Sequence, residues 1–120
     1  MLRESLLQAG FQEGESLDQY IKLIESNYTT SRQKFKTQQH HIIPRCYFKR
    51  KKVVVNNTVE NLVHLSHADH LLAHYYLCLC APKSLYRDLV LAFNYMINKK
   101  NHYSGVSEVE ISPELIQHFN

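Results

Sequence analysis

Between Ser31 and Lys52 the sequence contains no acidic residue. Eight bases fall in that stretch, whereas residues 1–30 carry five acids against two bases and residues 53–120 six against four, so the net charge of +3 hides a sharp asymmetry. A solvated face usually mixes its signs. A block of one sign attracts phosphate and steers encounter with a polyanion, although such a run also serves solubility alone. The chain has no apolar run near the ~18 residues of a membrane span, and it opens without the charged and then apolar segments of a secretory leader. It also has no internal repeat and no low-complexity tract. The expectation is a soluble, cytoplasmic protein with no membrane partner.

Cysteine is scarce: Cys46, Cys78 and Cys80 are an odd number, and Cys78-x-Cys80 is not the C-x-x-C knuckle of a zinc finger. They are expected to be free thiols in a reducing compartment, with Cys78 and Cys80 as packing residues of a helix. The 120 residues, 44% apolar and 21% charged, suit one compact domain over 1–120 around one core.

The order of elements follows from periodicity and punctuation. Leu2 to Ala9 suits a short helix, which Gly10 and Gly14 separate from a second one. Ser16 can cap that second helix, whose stripe is Leu17, Tyr20, Ile21, Leu23 and Ile24 and which Asn27 or Thr29-Thr30 ends; the 1–30 region reads as accessory. Thr29 to Gln39 is polar and basic, an arm with only Phe35 to anchor it. His41-Ile42-Ile43 and Val53-Val54-Val55 are β-prone runs, stopped by Pro44 and by Asn56-Asn57, and Asn61 to Leu65 is a third extended candidate. Ser66 suits the N-cap of a helix bearing Leu71, Leu72, Tyr75, Tyr76 and Leu79 and ending by Pro82. Lys83 to Lys99 forms another, packed on it, through Leu85, Leu89, Ala92, Phe93, Met96 and Ile97. Asn101 to Val109 reads as a loop, and Ser112 with Pro113 starts a last helix through Phe119.

Six of the eight histidines lie between His40 and His74. His70 and His74, four apart on a helix, share one face a turn apart, as two ligands of one cation require; a pair of hydrogen-bonded or exposed rings is the plain alternative. His40 and His41 are neighbours on a strand-like segment, so they point to opposite sides and cannot do the same job. His67 shares the face of His70 and His74 and competes as a ligand, but a residue that begins a helix is more often exposed. His64 packs or meets solvent. Asp69 either orients a ligand or complements the helix dipole.

The conjunction His40-His41-Ile42-Ile43-Pro44-Arg45, then Asn61-Leu62-Val63-x-Leu65, then His70-x-x-x-His74 resembles the HNH, or ββα-metal, endonuclease family. It is closest to phage-encoded and homing-type members, and the spacing of Asn61, His70 and His74 is similar to that in colicin-type DNases. The resemblance covers residues 38–80 and extends faintly to Ala92-Phe93-Asn94-Tyr95-Met96. It implies an α+β fold: a short antiparallel β-ribbon packed on helices over 38–80, with extra helices over 1–30 and 83–120. A Gly-rich loop often joins the two motif strands of that family, whereas Cys46 to Lys52 here holds no glycine.

The resemblance assigns His41 as general base, which suits an imidazole that titrates near neutrality. It has Asn61 hold His41 through backbone and side-chain hydrogen bonds; without the motif, Asn61 reads as a turn or strand-edge residue. It makes His40, His70 and His74 the ligands of one divalent cation, Mg²⁺ as the working ion with Mn²⁺, Ni²⁺ or Zn²⁺ also suited. The products it implies are 5′-phosphate and 3′-hydroxyl ends. Arg45 is expected to clamp phosphate, and Lys49, Arg50, Lys51, Lys52, Arg32, Lys34 and Lys36 to track the nucleic-acid backbone. No zinc finger or helix-turn-helix offers base reading. DNA is the expected substrate, nicked or cut through, with RNA as an alternative substrate and a second copy or a phage protein as further partner. A competing reading is a non-catalytic module with a structural zinc and a nucleic-acid-docking arm. Homing, packaging, defence, restriction and toxin roles all use such a core.

Overall fold

The structure is a computed structural model that describes residues 2–98. The expected loop 101–109 and the helix from Ser112 lie outside the described residues. Within them the chain is α+β, with five α-helices and one two-stranded antiparallel sheet.

Helix α1 (Leu2–Gln8) buries Leu6, and the chain then turns at Gly10, whose φ of 101° disfavours a side chain. A Cβ there would also sit 3.1 Å from Pro82 Cβ, so the turn is pressed against the chain at Pro82. The Gln12 N–H donates to Cys80 O at 2.8 Å and fastens that approach. Helix α2 (Glu15–Glu25) starts from Gly14, not from the expected Ser16: Gly14 occupies the N-cap at φ 150°, with no side-chain cap. Leu17, Tyr20, Ile21 and Ile24 are its buried stripe. Arg3 pairs with Glu13 and, at 2.6 Å, with Asp18, tying α1 to the start of α2 at the surface.

The sheet departs from the β-prone runs. Strand β1 is Thr37–His41, so it takes the end of the expected arm and stops where the run His41-Ile42-Ile43 was to begin. It pairs antiparallel with β2 (Leu62–Ser66), in the register Thr37↔Ser66 to His41↔Leu62. Val53-Val54-Val55 forms no strand: Val53 is 53% and Val54 90% exposed. The physical reason is helix α3 (Arg45–Arg50), which follows Pro44. The Lys52 N–H returns to Lys49 O and the Val53 N–H to Phe48 O, with Lys52 left-handed at φ 58°. That is a Schellman ending with lysine in the usual glycine place, and it uses the donor that would have opened a strand.

A 3-10 turn (Val59–Asn61) leads into β2, in which Val63 and Leu65 are buried and Ser66 is exposed. Ser66 caps helix α4 (His67–Leu79) as expected, its hydroxyl accepting the Asp69 N–H at 3.1 Å. Helix α4 touches α2, both strands and the following helix, α5 (Lys83–Asn98). That central place explains why its buried residues, His67, Leu71, Ala73, Leu77 and Cys78, depart from the expected single stripe and leave Leu79 exposed. Helix α5 (Lys83–Asn98) packs Leu85, Leu89, Phe93 and Met96 into the same core. Cys78 and Cys80 are buried free thiols, and Cys46 is half-buried.

Because Leu65 is fully buried, Leu65→Ala is expected to cost about 2–5 kcal/mol of unfolding free energy. Val54→Ala should change it by less than about 0.5 kcal/mol. Urea unfolding of the two variants checks the sheet assignment; a large loss at Val54 would restore that segment to the core.

Candidate metal centre and its cleft

The β1–β2 register places His40 opposite Val63, and directly opposed residues share a sheet face. That face looks inward: His40 is 2% and Val63 4% exposed. Helix α4 lies against it and presents His70 and His74, one turn apart. The three rings form a nearly equilateral triangle, with centroids 5.1 Å apart for His40–His70, 5.2 Å for His40–His74 and 5.0 Å for His70–His74. Each offers a ring nitrogen, and these atoms lie within 4.8 Å of one another.

The outer sides of two rings are held. His40 Nε2 lies 2.8 Å from the Tyr20 hydroxyl, which donates to Ile42 O at 2.6 Å. His70 Nδ1 lies 2.7 Å from Gln38 Oε1, so the partner of His70 is Gln38 on β1 rather than its neighbour Asp69. His74 Nδ1 is enclosed, yet it has no hydrogen-bond partner. A buried imidazole nitrogen without a partner is costly unless a ligand meets it. Burial also holds all three rings neutral. It lowers His74 to about 4. Burial first, then the neighbouring His74 and His67, lowers His70 to about 3. Burial first, then His74, His70 and His41, takes His40 well below its ordinary value. Neutral, converging imidazoles with one unsatisfied nitrogen are a donor set that fits a divalent cation of the zinc or nickel kind, whereas Mg²⁺ prefers oxygen ligands.

The adjacent His41 is turned away from the triangle, as strand alternation requires, and is only half-buried. His41 Nε2 lies 2.7 Å from Asn57 Oδ1. Asn61 is buried and spends its side chain two residues further on: Oδ1 accepts the Ile43 N–H at 2.8 Å, while Nδ2 donates to Ile43 O at 3.2 Å and Asn56 O at 3.0 Å. Its backbone carbonyl takes the Ile42 N–H at 2.9 Å. Asn61 therefore fixes the chain just beyond His41, and the ring itself is met by Asn57. The sequence offered Asn57 only as a turn residue; nothing local marks it as a partner 16 positions away.

A cleft of about 420 Å³ is lined by His40, His41, His70 and His74, with Arg45, Cys46 and Asp88 at its walls. A larger cavity, about 630 Å³, lies beyond Asn61 against α1 and Tyr28, and none of the histidines among the described residues lines it. The Cys46 thiol is pushed up to about 11 by burial and then by the Asp88 charge, so it stays protonated near neutrality.

The basic residues divide. Arg45, Lys49, Lys51, Lys52, Arg32, Lys34 and Lys36 are exposed. Arg50 is engaged: Nε and Nη2 meet the two Asp88 oxygens at 2.8 and 3.1 Å, which locks α3 to α5. Phe35 anchors nothing; it is 80% exposed at φ 68°, with Lys34 over its ring. His67 is buried at 8% rather than exposed, although the rest of the first turn of α4 is half-buried. His64 is half-buried on β2.

The lowered imidazole values set a pH dependence for the metal-free protein. Unfolded imidazoles titrate near 6.5 and the folded rings lower, so the unfolded chain binds more protons in between. Stability is therefore full above about 6.5 and falls as pH drops toward 4 and 3, by up to about 1.4 kcal/mol per pH unit for each ring. Urea unfolding between pH 7 and 4 should show this, with a shallower slope in His74→Asn; equal slopes would mean that the ring is not enclosed as described. Comparisons of the chain with protein-family models, curated proteins and solved structures find no match.

Proposed function

We propose that the chain is a metal-dependent endonuclease of the HNH, ββα-metal, type that hydrolyses DNA phosphodiester bonds. One observation carries the reading: a single cleft holds a triangle of neutral imidazoles, His40 buried and His70 and His74 half-buried, and, on the next strand residue, a fourth imidazole outside the triangle. A purely structural site has no use for that fourth ring. The ribbon of β1 and β2 followed by α4 supports the type, with α3 inserted between the strands, as does the acid-free stretch from Ser31 to Lys52 with its eight bases.

His40, His70 and His74 would hold the cation. When bound, a divalent cation neutralises charge on the scissile phosphate and on the departing 3′ oxygen. His41 does the proton work. The Asn57 Oδ1 accepts from Nε2–H, which leaves Nδ1 as the basic nitrogen to take a proton from the attacking water. Asn61 holds the backbone on which His41 is carried. Arg45 stands at the cleft to meet phosphate, and exposed Lys49 on α3, Lys51 and Lys52 just after it and the lysines of the arm before β1 extend that attraction along a polyanion. Arg50 contributes by bracing α3 against α5 rather than by meeting phosphate.

A second reading, a non-catalytic nucleic-acid-binding module stabilised by zinc, draws on the depth of His40. Cleavage separates the two. Purified protein should cut plasmid or linear DNA in at least one of Mg²⁺, Mn²⁺, Ni²⁺ and Zn²⁺. His41→Ala should lower that rate by about 10²–10⁴-fold while metal affinity is unchanged. A full rate in the variant would remove His41 as base. No cutting with any metal, together with zinc whose removal unfolds the protein, would establish the second reading. Parallel incubation with RNA decides the substrate.

A further inference from the structure

Tyr20 stands on α2, outside the strand–strand–helix unit, and its side chain is fully buried. Its hydroxyl has two neighbours, Ile42 O at 2.6 Å and His40 Nε2 at 2.8 Å. A carbonyl oxygen only accepts, and a phenol has one proton to give. That proton goes to Ile42 O, so the hydroxyl oxygen turns a lone pair toward His40. A bare Nε2 at that distance would oppose two lone pairs in a site without water's screening. Nε2 therefore carries the proton of the neutral ring and donates it to Tyr20, and Nδ1 is the bare nitrogen. The reverse arrangement, with Tyr20 donating to His40, would leave two oxygens 2.6 Å apart with no proton between them.

We propose that Tyr20 is a positioning residue of the metal centre: its hydroxyl fixes the tautomer and rotation of His40 so that Nδ1 is presented to a divalent cation. The inference rests on the metal-binding reading of the triangle and deepens it. A ligand histidine whose other ring N–H is held by an acceptor is both oriented and made more basic. Gln38 does the converse on β1: by accepting from His70 Nδ1–H it leaves Nε2 bare. The donor set is thus mixed, Nδ1 from the strand and Nε2 from the first helix ligand. Helix α2, which its sequence marks only as an accessory packing element, supplies part of the site.

Three measurements on the full chain test this. Long-range proton–nitrogen correlation spectra of the metal-free wild type should show His40 as the Nε2–H tautomer. Competition with a chromophoric chelator should show Tyr20→Phe binding Zn²⁺ about 10–100-fold more weakly than wild type. Tyr28→Phe, at a half-exposed tyrosine away from the triangle, should bind as wild type does. Near-UV dichroism confirms that each variant is folded; should Tyr20→Phe fail to fold, the wild-type tautomer decides. An Nδ1–H tautomer for His40, or wild-type zinc affinity in folded Tyr20→Phe, would overturn the inference. Wild type that binds no divalent cation would overturn the metal-centre reading and this inference together. Weakened zinc binding in Tyr20→Phe supports the inference whether or not the protein cuts DNA.

Discussion

The register of β1 against β2 decides which of two adjacent histidines enters the protein. With His40 opposite Val63, the inward face of the ribbon carries His40 to α4, and His41 is left on the outer side beside Asn57. A slip of one residue would exchange the two and dismantle both the triangle and the outer ring. The register is held at both ends. Val63 and Leu65 must face the core, and Asn61 grips Ile42 and Ile43 just after β1 through its carbonyl and its side-chain amide. Asn61 thus matters for the site without touching either histidine ring's chemistry.

The electrostatic layout separates a neutral interior from a charged approach. Three imidazoles can stand this close only because desolvation keeps them uncharged, and Tyr20 and Gln38 meet outer nitrogens that would otherwise go unsatisfied. Charge is kept at the rim. Arg45 stands at the cleft, Lys49 on α3 with Lys51 and Lys52 just after it extend from it, and Arg50 at that helix's end is neutralised by Asp88. Asp88 in turn is held below its ordinary value chiefly by its hydrogen bonds to Arg50, so the pair stays ionised. A surface pair of this kind adds little stability alone, but its two-point geometry orients α3 on α5.

The legible parts of the sequence were those whose signal is local. Helices α2 and α5 show in apolar periodicity, and α4 shows at its start, where Ser66 reads as a cap because a hydroxyl three residues ahead of a free N–H has a defined partner. The pairing of His70 with His74 followed from helical spacing, and the opposition of His40 and His41 from strand alternation. Strand β1 was not legible, since Thr37 is its one β-branched residue, and Gln38 and Gln39 are extended because β2 pairs with them. Val53 to Val55 misled for the opposite reason: β propensity lost to the capping of α3. Tyr20, Gln38 and Asn57 lie 20, 32 and 16 residues from the rings they meet, and only tertiary packing brings them there.

A cation centred on the imidazole triangle, with His41 excluded from it, is the claim on which the functional reading stands. Anomalous diffraction from crystals of the full chain grown with Zn²⁺ tests it most directly. The expected result is one strong peak about 2.0–2.1 Å from a ring nitrogen of each of His40, His70 and His74, with the His41 ring turned to Asn57. A peak on His41, or no peak at the triangle at saturating zinc, would contradict it.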